Sequence, residues 1–358
     1  MKIPPSSQLH FPCGLNMKNR FMLSPMTNHQ SHADGTLSDD ELHWLKMRAK
    51  GGFGMTMTCA SHVQAAGQGF PGQLGIFSEI HEAGHRRLTK AIKKERSLAV
   101  IQLHHAGLRS PKELIGQAPM APSDLPKYGA RGMTLEEVIT LRNDFILAAK
   151  RAKDWGYDGV EIHGAHGYIL TQFLSVETNH RSDIYGGPLE NRSRLIFEIV
   201  NGIRESCGPG FMLGIRISPE RFGMQIGEVK TLCKQLIFEN QLDFIDLSLW
   251  DFKKEPEDEK FKGKTLLQHF LELEFDEVRL AVAGKIYSAK DVNHLLGQGV
   301  DFVAIGRAAI LHYDFPEQAI ANPKFKAVEL PVSRDYLRNQ GLGEAFVKYM
   351  EGWEGFVV

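Results

Sequence analysis

The chain contains eight short runs of apolar or β-branched residues, and enough residues separate each run from the next to form a helix. Apolar runs of this length are typical of buried β-strands. The runs are Phe21–Met26, Met55–Cys59, Ala99–Leu103, Gly159–His163, Met212–Ile217, Phe244–Leu249, Arg279–Ala283 and Phe302–Ile305. We therefore predict eight strands with helices between them.

The clearest predicted helix runs from Thr134 to Trp155. Thr134 and Glu137 have the spacing of a capping box, in which each side chain bonds the other residue's backbone N–H. Apolar residues then recur at steps of three and four, which places them on one helical face. Gly156 follows as a stop signal.

Strands that alternate with helices predict a parallel sheet, and eight such units predict a closed (β/α)₈ TIM barrel of the α/β class. A doubly wound sheet is the alternative. We expect one domain over residues 1–358, with the barrel at about residues 18–320 and a C-terminal tail at about residues 321–358. The Pro- and Gly-rich insertion Arg109–Met133 is expected to cover the barrel mouth, and the tail is expected to pack on the barrel or on a second subunit of a homo-oligomer.

Charge and composition exclude several classes of protein. Lys and Arg number 42 against 43 Asp and Glu, for a net charge of −1, which argues against a nucleic-acid partner. No apolar run approaches the roughly 18 residues of a membrane span, and no secretory signal is apparent. The four cysteines are scattered without a C-x-x-C pair, which argues against an iron–sulfur or zinc knuckle site. We expect a cytoplasmic protein.

The ends of the seventh and eighth runs predict a phosphate site. Gly284 and Lys285 follow the seventh run, and Gly306 and Arg307 follow the eighth. Glycine allows an anion to approach backbone N–H groups, and Lys or Arg completes an ion pair. The loops after the last two strands are the usual phosphate site of a TIM barrel.

Proton-active side chains follow the fourth run, where His163, His166 and Tyr168 lie within six residues. Two imidazoles suit binding of a carbonyl oxygen, and a phenol suits proton donation. A metal site is an alternative, because His104 and His105 at the end of the third run provide further ligands. Simple loop capping is the other alternative.

Two polar residues stand within otherwise apolar runs. Arg216 in the fifth run needs an anion, an electron-rich ring or a carboxylate as its partner, because an unpaired buried Arg is costly. Gln102 in the third run offers a donor and an acceptor, which suits an amide-like heterocycle.

Together these residues resemble the old yellow enzyme family of FMN-dependent ene-reductases. The resemblance extends from Lys18–Phe21 to Gly306-Arg307, and its most specific stretch runs from Asp158 through Tyr168 to Arg192, including Asn179–Gly187. It implies a TIM barrel with non-covalently bound FMN, NADH or NADPH as co-substrate, and ping-pong reduction of the C=C bond of an α,β-unsaturated carbonyl compound.

The resemblance also implies roles for individual residues. His163 and His166 would bind the substrate carbonyl oxygen, and Tyr168 would protonate the α-carbon. The implied FMN contacts are Pro25, Met26 and Thr27 along the ring edge, Ala60 by its backbone, Gln102 and Arg216 at the pyrimidine, and Gly284, Lys285, Gly306 and Arg307 at the phosphate. No metal is implied. The chain departs from the family pattern at two positions. His104 stands where many relatives have Trp or another residue, and Leu108 stands where an Arg is common, so that Arg is missing unless Arg109 substitutes for it.

Two alternative functions remain open from the residues themselves. One is a flavoprotein that serves mainly as an NAD(P)H oxidase, a quinone or nitro-compound reductase, or a redox sensor. The other is a metal-dependent barrel hydrolase that uses the histidine cluster.

Overall fold

The computed structural model of the protein describes residues 3–358. Its strands are β1 Leu9–His10, β2 Asn16–Met17, β3 Phe21–Leu23, β4 Met55–His62, β5 Leu98–His104, β6 Met120–Ala121, β7 Arg131–Gly132, β8 Gly159–Gly164, β9 Met212–Ile217, β10 Phe244–Ser248, β11 Arg279–Ala283 and β12 Phe302–Ile305. Eight of them close into a parallel barrel in the order β3, β4, β5, β8, β9, β10, β11 and β12, after which β12 pairs with β3. The predicted (β/α)₈ barrel is confirmed.

Helices connect the barrel strands and continue beyond the last one. They are α1 Asp39–Lys50, α2 Glu82–Lys94, α3 Lys112–Ile115, α4 Leu135–Asp154, α5 Ile169–Leu174, α6 Leu189–Cys207, α7 Ile226–Glu239, α8 Leu266–Leu271, α9 Ala289–Gly297, α10 Arg307–Leu311, α11 Phe315–Ala321, α12 Arg334–Asn339 and α13 Glu344–Glu351. Within residues 3–358, none of the helices combines the length and the apolarity that crossing a bilayer requires.

The predicted capping box is present at the start of α4. Thr134 Oγ1 accepts a hydrogen bond from the backbone N–H of Glu137 at 3.2 Å, and a Glu137 carboxylate oxygen accepts one from the N–H of Thr134 at 2.9 Å. These two bonds satisfy donors that have no partner inside the helix. The local sequence therefore determines where α4 begins.

Most predicted strands agree with the observed bounds, but the first is shorter and the second longer. Strand β3 ends at Leu23, because Ser24 donates the last ladder bond to Ile305 O at 3.0 Å and Pro25 has no N–H to continue it. Strand β4 continues to His62, three residues beyond the predicted end. The residues after Leu23 are thereby released to form a loop at the carboxyl end of the barrel.

The amino end of the barrel is filled by apolar side chains. The β1–β2 hairpin places Phe11 beneath the barrel, where its ring contacts Phe244 and Phe302 edge-on at centroid distances of 6.2 and 5.7 Å. Met22, Met57 and other buried residues complete this inner cluster. A ligand must therefore enter from the carboxyl end, where TIM barrels have their active sites.

Strand register brings the polar residues of four neighbouring strands to adjacent levels inside the barrel. Gln102 of β5 pairs with Glu161 of β8, while His163 of β8 and Asp246 of β10 both pair with Arg216 of β9. In a barrel, residues in register on neighbouring strands lie side by side. This arrangement places a charged layer directly above the apolar cluster.

The insertion and the tail occupy different places. The insertion Arg109–Met133 forms α3 and a small β6–β7 sheet, and Arg181 Nη1 donates to its carbonyl oxygens at Pro122 and Met133. The tail packs on the barrel of its own chain, where the Phe346 ring of α13 contacts Trp44 of α1 edge-on at 4.9 Å. Its packing thus brings α13 back to the loops at the barrel mouth.

Candidate active site

A cleft enclosing about 1190 Å³, part of it open to solvent, lies at the carboxyl end of the barrel. Every residue predicted for the site lines this one cleft, although the residues come from seven separate parts of the chain. They are Pro25, Met26, Thr27, Ala60, Gln102, His163, His166, Tyr168, Arg216, Gly284, Lys285, Gly306 and Arg307. None of residues 109–133 lines the cleft, so the insertion contributes no wall to it.

One corner of the cleft is cationic. No described carboxylate pairs with Arg307, whose guanidinium instead lies 5.6 Å from the Trp250 ring and 5.7 Å from the Tyr287 ring. Lys285 Nζ is 3.1 Å from Asp251, which partly neutralises it. A Cβ added at Gly306 would make only ordinary van der Waals contacts, the nearest with Met26 Sδ at 3.8 Å, so the protein leaves room at this backbone. The corner can therefore accept a phosphate group.

Gly284 is required for packing as well as for access. A Cβ at this position would lie 3.0 Å from the backbone nitrogen of Phe252, closer than real Cβ contacts normally come. The glycine thus allows the loop after β10 to approach the end of β11. Its neighbour Lys285 has a φ of +48°, a left-handed conformation that costs energy in a non-glycine residue.

A continuous chain of hydrogen bonds runs across the cleft wall. His104 Nδ1 and His163 Nδ1 are 2.9 Å apart, and His163 Nε2 is 2.9 Å from His166 Nδ1. His166 Nε2 is 2.7 Å from Ser248 Oγ, which also accepts a bond from Arg216 Nη2 at 3.3 Å. The rings of all three histidines therefore have fixed orientations.

His163 and His166 are neutral near pH 7. Burial, followed by the charges of the neighbouring imidazoles and of Arg216, lowers the pKa of His163 well below 6.5. Burial, then Arg216 and Arg109, lowers the pKa of His166 to about 3. A neutral imidazole has one donor and one acceptor, so His163 and His166 can each donate one hydrogen bond without carrying charge.

Tyr168 is held as a neutral phenol beside these histidines. Burial raises its pKa above 10, although the nearby Arg109 opposes that shift. Its ring contacts His104 edge-on at 4.4 Å, and the Arg109 guanidinium lies 4.7 Å from the ring centre. Arg109 also donates to the carbonyl oxygen of His166 at 2.5 Å. Arg109 therefore connects Tyr168 to the turn that carries His166.

The loop after β3 is fixed from behind by a buried carboxyl. Glu41 of α1 accepts hydrogen bonds from Asn28 Nδ2 at 3.0 Å and from Ser31 Oγ. Burial raises the pKa of Glu41. Because Asn28 directly follows Thr27, these bonds restrain the loop that contributes Pro25, Met26 and Thr27 to the cleft.

An aromatic wall of the cleft was not predicted from the sequence. Phe70, Trp250 and Tyr287 come from loops after barrel strands, while Tyr349 and Trp353 come from the tail. His29 stacks on Tyr349 at 4.6 Å and lies 5.2 Å from Phe70. Trp250 lies two residues after β10, so its place at the end of a barrel strand indicates that it belongs to the site. No local sequence signal indicates that the tail reaches the cleft.

Comparison with known proteins adds an independent observation. A sequence model of the NADH:flavin oxidoreductase / NADH oxidase family matches residues 13–323. The chain is 35% identical over 312 residues to the probable NADH-dependent flavin oxidoreductase YqiG of Bacillus subtilis (strain 168), covering 84% of this chain and 83% of that protein. It is 30% identical over 319 residues to the putative 12-oxophytodienoate reductase 5 of Oryza sativa subsp. japonica, covering 85% and 84%. The structure of morphinone reductase matches with a TM-score of 0.80 at 25% identity, over 98% of this chain and 96% of that one.

The described residues offer no alternative site for a metal ion. Among residues 3–358, no group of three His, Cys, Asp or Glu side chains is arranged to hold one. His104, His163 and His166 instead direct ring nitrogens at one another.

Proposed function

We propose that this chain, which belongs to the NADH:flavin oxidoreductase / NADH oxidase family and is an NAD(P)H-dependent FMN oxidoreductase, reduces the C=C bond of α,β-unsaturated carbonyl compounds. The predicted relation to old yellow enzymes is confirmed. The observation that carries the proposal is the convergence of two neutral imidazoles and a neutral phenol on the same cleft as the FMN residues. Two proteins to which the chain is similar are named morphinone reductase and putative 12-oxophytodienoate reductase 5.

The charged and polar residues of the cleft fit FMN. Arg307 has no carboxylate partner among the described residues and suits the phosphate. The Arg216 side chain lines the cleft and suits an electron-rich heterocycle. We assign the phosphate to Gly284, Lys285, Gly306 and Arg307, the pyrimidine to Gln102 and Arg216, the ring edge to Pro25, Met26 and Thr27, and a backbone contact to Ala60. When bound, FMN supplies hydride chemistry between NADH or NADPH and the alkene.

His163 and His166 bind the carbonyl oxygen of the substrate. On substrate binding, each neutral ring exchanges the bond that its single donor makes within the hydrogen-bond chain for one to the substrate oxygen. Together the two rings withdraw electron density from the conjugated C=C bond. Because the rings lie in a buried environment, this polarisation is stronger than it would be in water. The β-carbon consequently becomes the electrophilic end of the alkene.

Tyr168 delivers the proton that completes the reduction at the α-carbon. Its raised pKa keeps the phenol protonated at neutral pH, as a general acid requires. Arg109 lies against the ring and stabilises the phenolate that remains after transfer. The phenol is then reprotonated from solvent before the next cycle.

In this proposal the nicotinamide co-substrate and the alkene bind in turn to the same cleft, which is a ping-pong sequence. Anaerobic mixing of NADH-reduced enzyme with 2-cyclohexen-1-one is expected to restore the absorbance of oxidised flavin and to release an equal amount of cyclohexanone. A parallel reaction with menadione serves as the comparison. Reoxidation by menadione without reoxidation by the enone would overturn the proposal and favour a quinone reductase.

A further inference from the structure

Two carboxyl groups lie beneath the cleft without lining it. The side chains of Glu161 on β8 and Asp246 on β10 are both 0% exposed. Glu161 lies two residues before His163 on β8, and Asp246 lies two residues before Ser248 on β10. Neither group touches the region where substrate binds, so the proposed reaction gives them no role.

Each carboxyl contacts one residue that we assign to the FMN pyrimidine. Asp246 Oδ2 lies 3.2 Å from Arg216 Nε, its cross-strand neighbour. Glu161 Oε1 accepts a hydrogen bond from Gln102 Nε2 at 2.6 Å. Glu161 Oε2 and both oxygens of Asp246 have no well-formed hydrogen bond. The two carboxyls therefore support the pyrimidine residues from below.

The layer contains two carboxyls but a single cation. The charges of Asp246 and Arg216 shift the pKa of Glu161, and the charge of Arg216 shifts the pKa of Asp246. His104 and His163, the titratable groups two residues after Gln102 on β5 and Glu161 on β8, are neutral. The remaining barrel strands contribute apolar side chains to the interior cluster, among them Met22, Met57 and Ala304.

Both carboxyls cannot be ionised together at acceptable cost. Two buried carboxylates that share one counter-ion are strongly unfavourable, so one of the two takes a proton. Burial raises the pKa of both groups and Arg216 opposes that rise, but the charge of Asp246 raises the pKa of Glu161 further. The direct contact with Arg216 belongs to Asp246.

We propose that Asp246 is the carboxylate that neutralises Arg216, that Glu161 is a neutral carboxylic acid, and that Asp246 thereby lowers the reduction potential of FMN. Reduction of FMN adds negative charge at the pyrimidine, which an unpaired Arg216 would stabilise. Asp246 removes much of that stabilisation. The inference rests on the proposed position of the pyrimidine beside Arg216, but it does not depend on which oxidant the enzyme uses.

Two isosteric variants separate the roles of the carboxyls. Asp246→Asn removes a charge, so the two-electron reduction equilibrium is expected to shift at least tenfold towards reduced FMN, equivalent to about 30 mV. Glu161→Gln replaces one neutral group by another and is expected to shift the equilibrium less than threefold. The potential is measured at pH 7 against a reference dye, after FMN content and thermal unfolding have been checked for each variant.

The results distinguish failure of the inference about Asp246 and Glu161 from failure of the proposed pyrimidine position. A larger shift in Glu161→Gln than in Asp246→Asn would overturn the inference, because it would place the charge on Glu161. A shift in Arg216→Gln with none in Asp246→Asn would also overturn it, while leaving the pyrimidine position intact. No shift in any of the three variants would overturn both.

A spectroscopic measurement covers the case in which Asp246→Asn does not fold. The infrared difference spectrum between reduced and oxidised wild-type enzyme is expected to contain a C=O stretching band of a protonated carboxylic acid, perturbed by the change in flavin charge. This band should be absent from the spectrum of Glu161→Gln. Persistence of the band in Glu161→Gln would contradict the assignment of the proton to Glu161.

Discussion

His104 and His163 are hydrogen-bonded to each other through their Nδ1 atoms at 2.9 Å. Burial lowers the pKa of both rings well below 6.5, so both are neutral and only one of the two Nδ1 atoms carries a proton. His104 Nε2 is buried without a partner. Because an unpaired buried N–H is costly, the proton of His104 belongs on Nδ1. His163 then carries its proton on Nε2, which donates to His166 Nδ1 at 2.9 Å and must release that bond to donate to a substrate oxygen.

His104 acts on the ligand only through His163, so replacing His104 should weaken ligand binding. We expect His104→Phe to preserve the packing against Tyr168 and to raise the Kd of p-hydroxybenzaldehyde about tenfold, because a lost buried hydrogen bond costs about 1–3 kcal/mol. The Kd is measured by absorbance titration of the flavin. His104→Gln keeps a donor and should recover part of the affinity; an unchanged Kd in His104→Phe would contradict the role.

Loss of the Tyr168 hydroxyl should affect alkenes selectively. General acid catalysis contributes about 10²–10⁴-fold, so Tyr168→Phe is expected to slow reoxidation of the reduced enzyme by 2-cyclohexen-1-one by that factor. Reoxidation by menadione needs no protonation at carbon and should remain near the wild-type rate. Both rates are measured by anaerobic stopped-flow absorbance. Equal slowing with the two oxidants would show that Tyr168 acts in some other way.

Removal of Arg307 should weaken FMN binding through the phosphate alone. A hydrogen bond to a charged group is worth about 1.5–3 kcal/mol, so we expect Arg307→Ala to raise the Kd of FMN about 10- to 100-fold. Riboflavin lacks the phosphate, and its Kd should be the same for the variant and the wild type. Quenching of flavin fluorescence by the apoprotein measures both constants. Equal weakening for FMN and riboflavin would place Arg307 elsewhere on the cofactor.

The buried histidines should make the fold sensitive to mild acid. Burial lowers the pKa of His85 to about 4, whereas an unfolded histidine titrates near 6.5. The unfolded state therefore binds a proton first, and stability is lost as the pH falls from about 6.5 towards 4. The loss approaches about 1.4 kcal/mol per pH unit for this one residue.

Comparison with a variant isolates the contribution of His85. Its ring hydrogen-bonds the Tyr157 hydroxyl at 2.7 Å and the Gly75 carbonyl oxygen at 2.8 Å. His85→Gln removes the titrating group, so its unfolding free energy should fall less steeply between pH 7 and pH 5 than that of the wild type. Urea unfolding at each pH measures the difference. The raised pKa values of Glu41 and Glu161 act in the opposite direction in both proteins and cancel in the comparison.

Much of the fold and the site follows from local sequence. Apolar runs bounded by turns specify buried strands, eight of them separated by helices favour a closed barrel, and the barrel brings the strand ends together. For this reason the sequence predicts that Gln102, His163, Arg216 and Arg307 lie towards the same end of the barrel. The capping box of α4 was equally predictable, since its hydrogen bonds join residues three apart.

Tertiary packing decided the features that depend on register and on distant segments. The contact of Asp246 with Arg216 depends on the register between β9 and β10, which cannot be predicted from the two apolar runs alone. Tyr349 reaches the cleft because α13 packs on α1 and Tyr349 stacks on His29, contacts between residues far apart in sequence. Local patterns determine which segments form strands and helices, whereas pairing and docking depend on surfaces that exist only after folding.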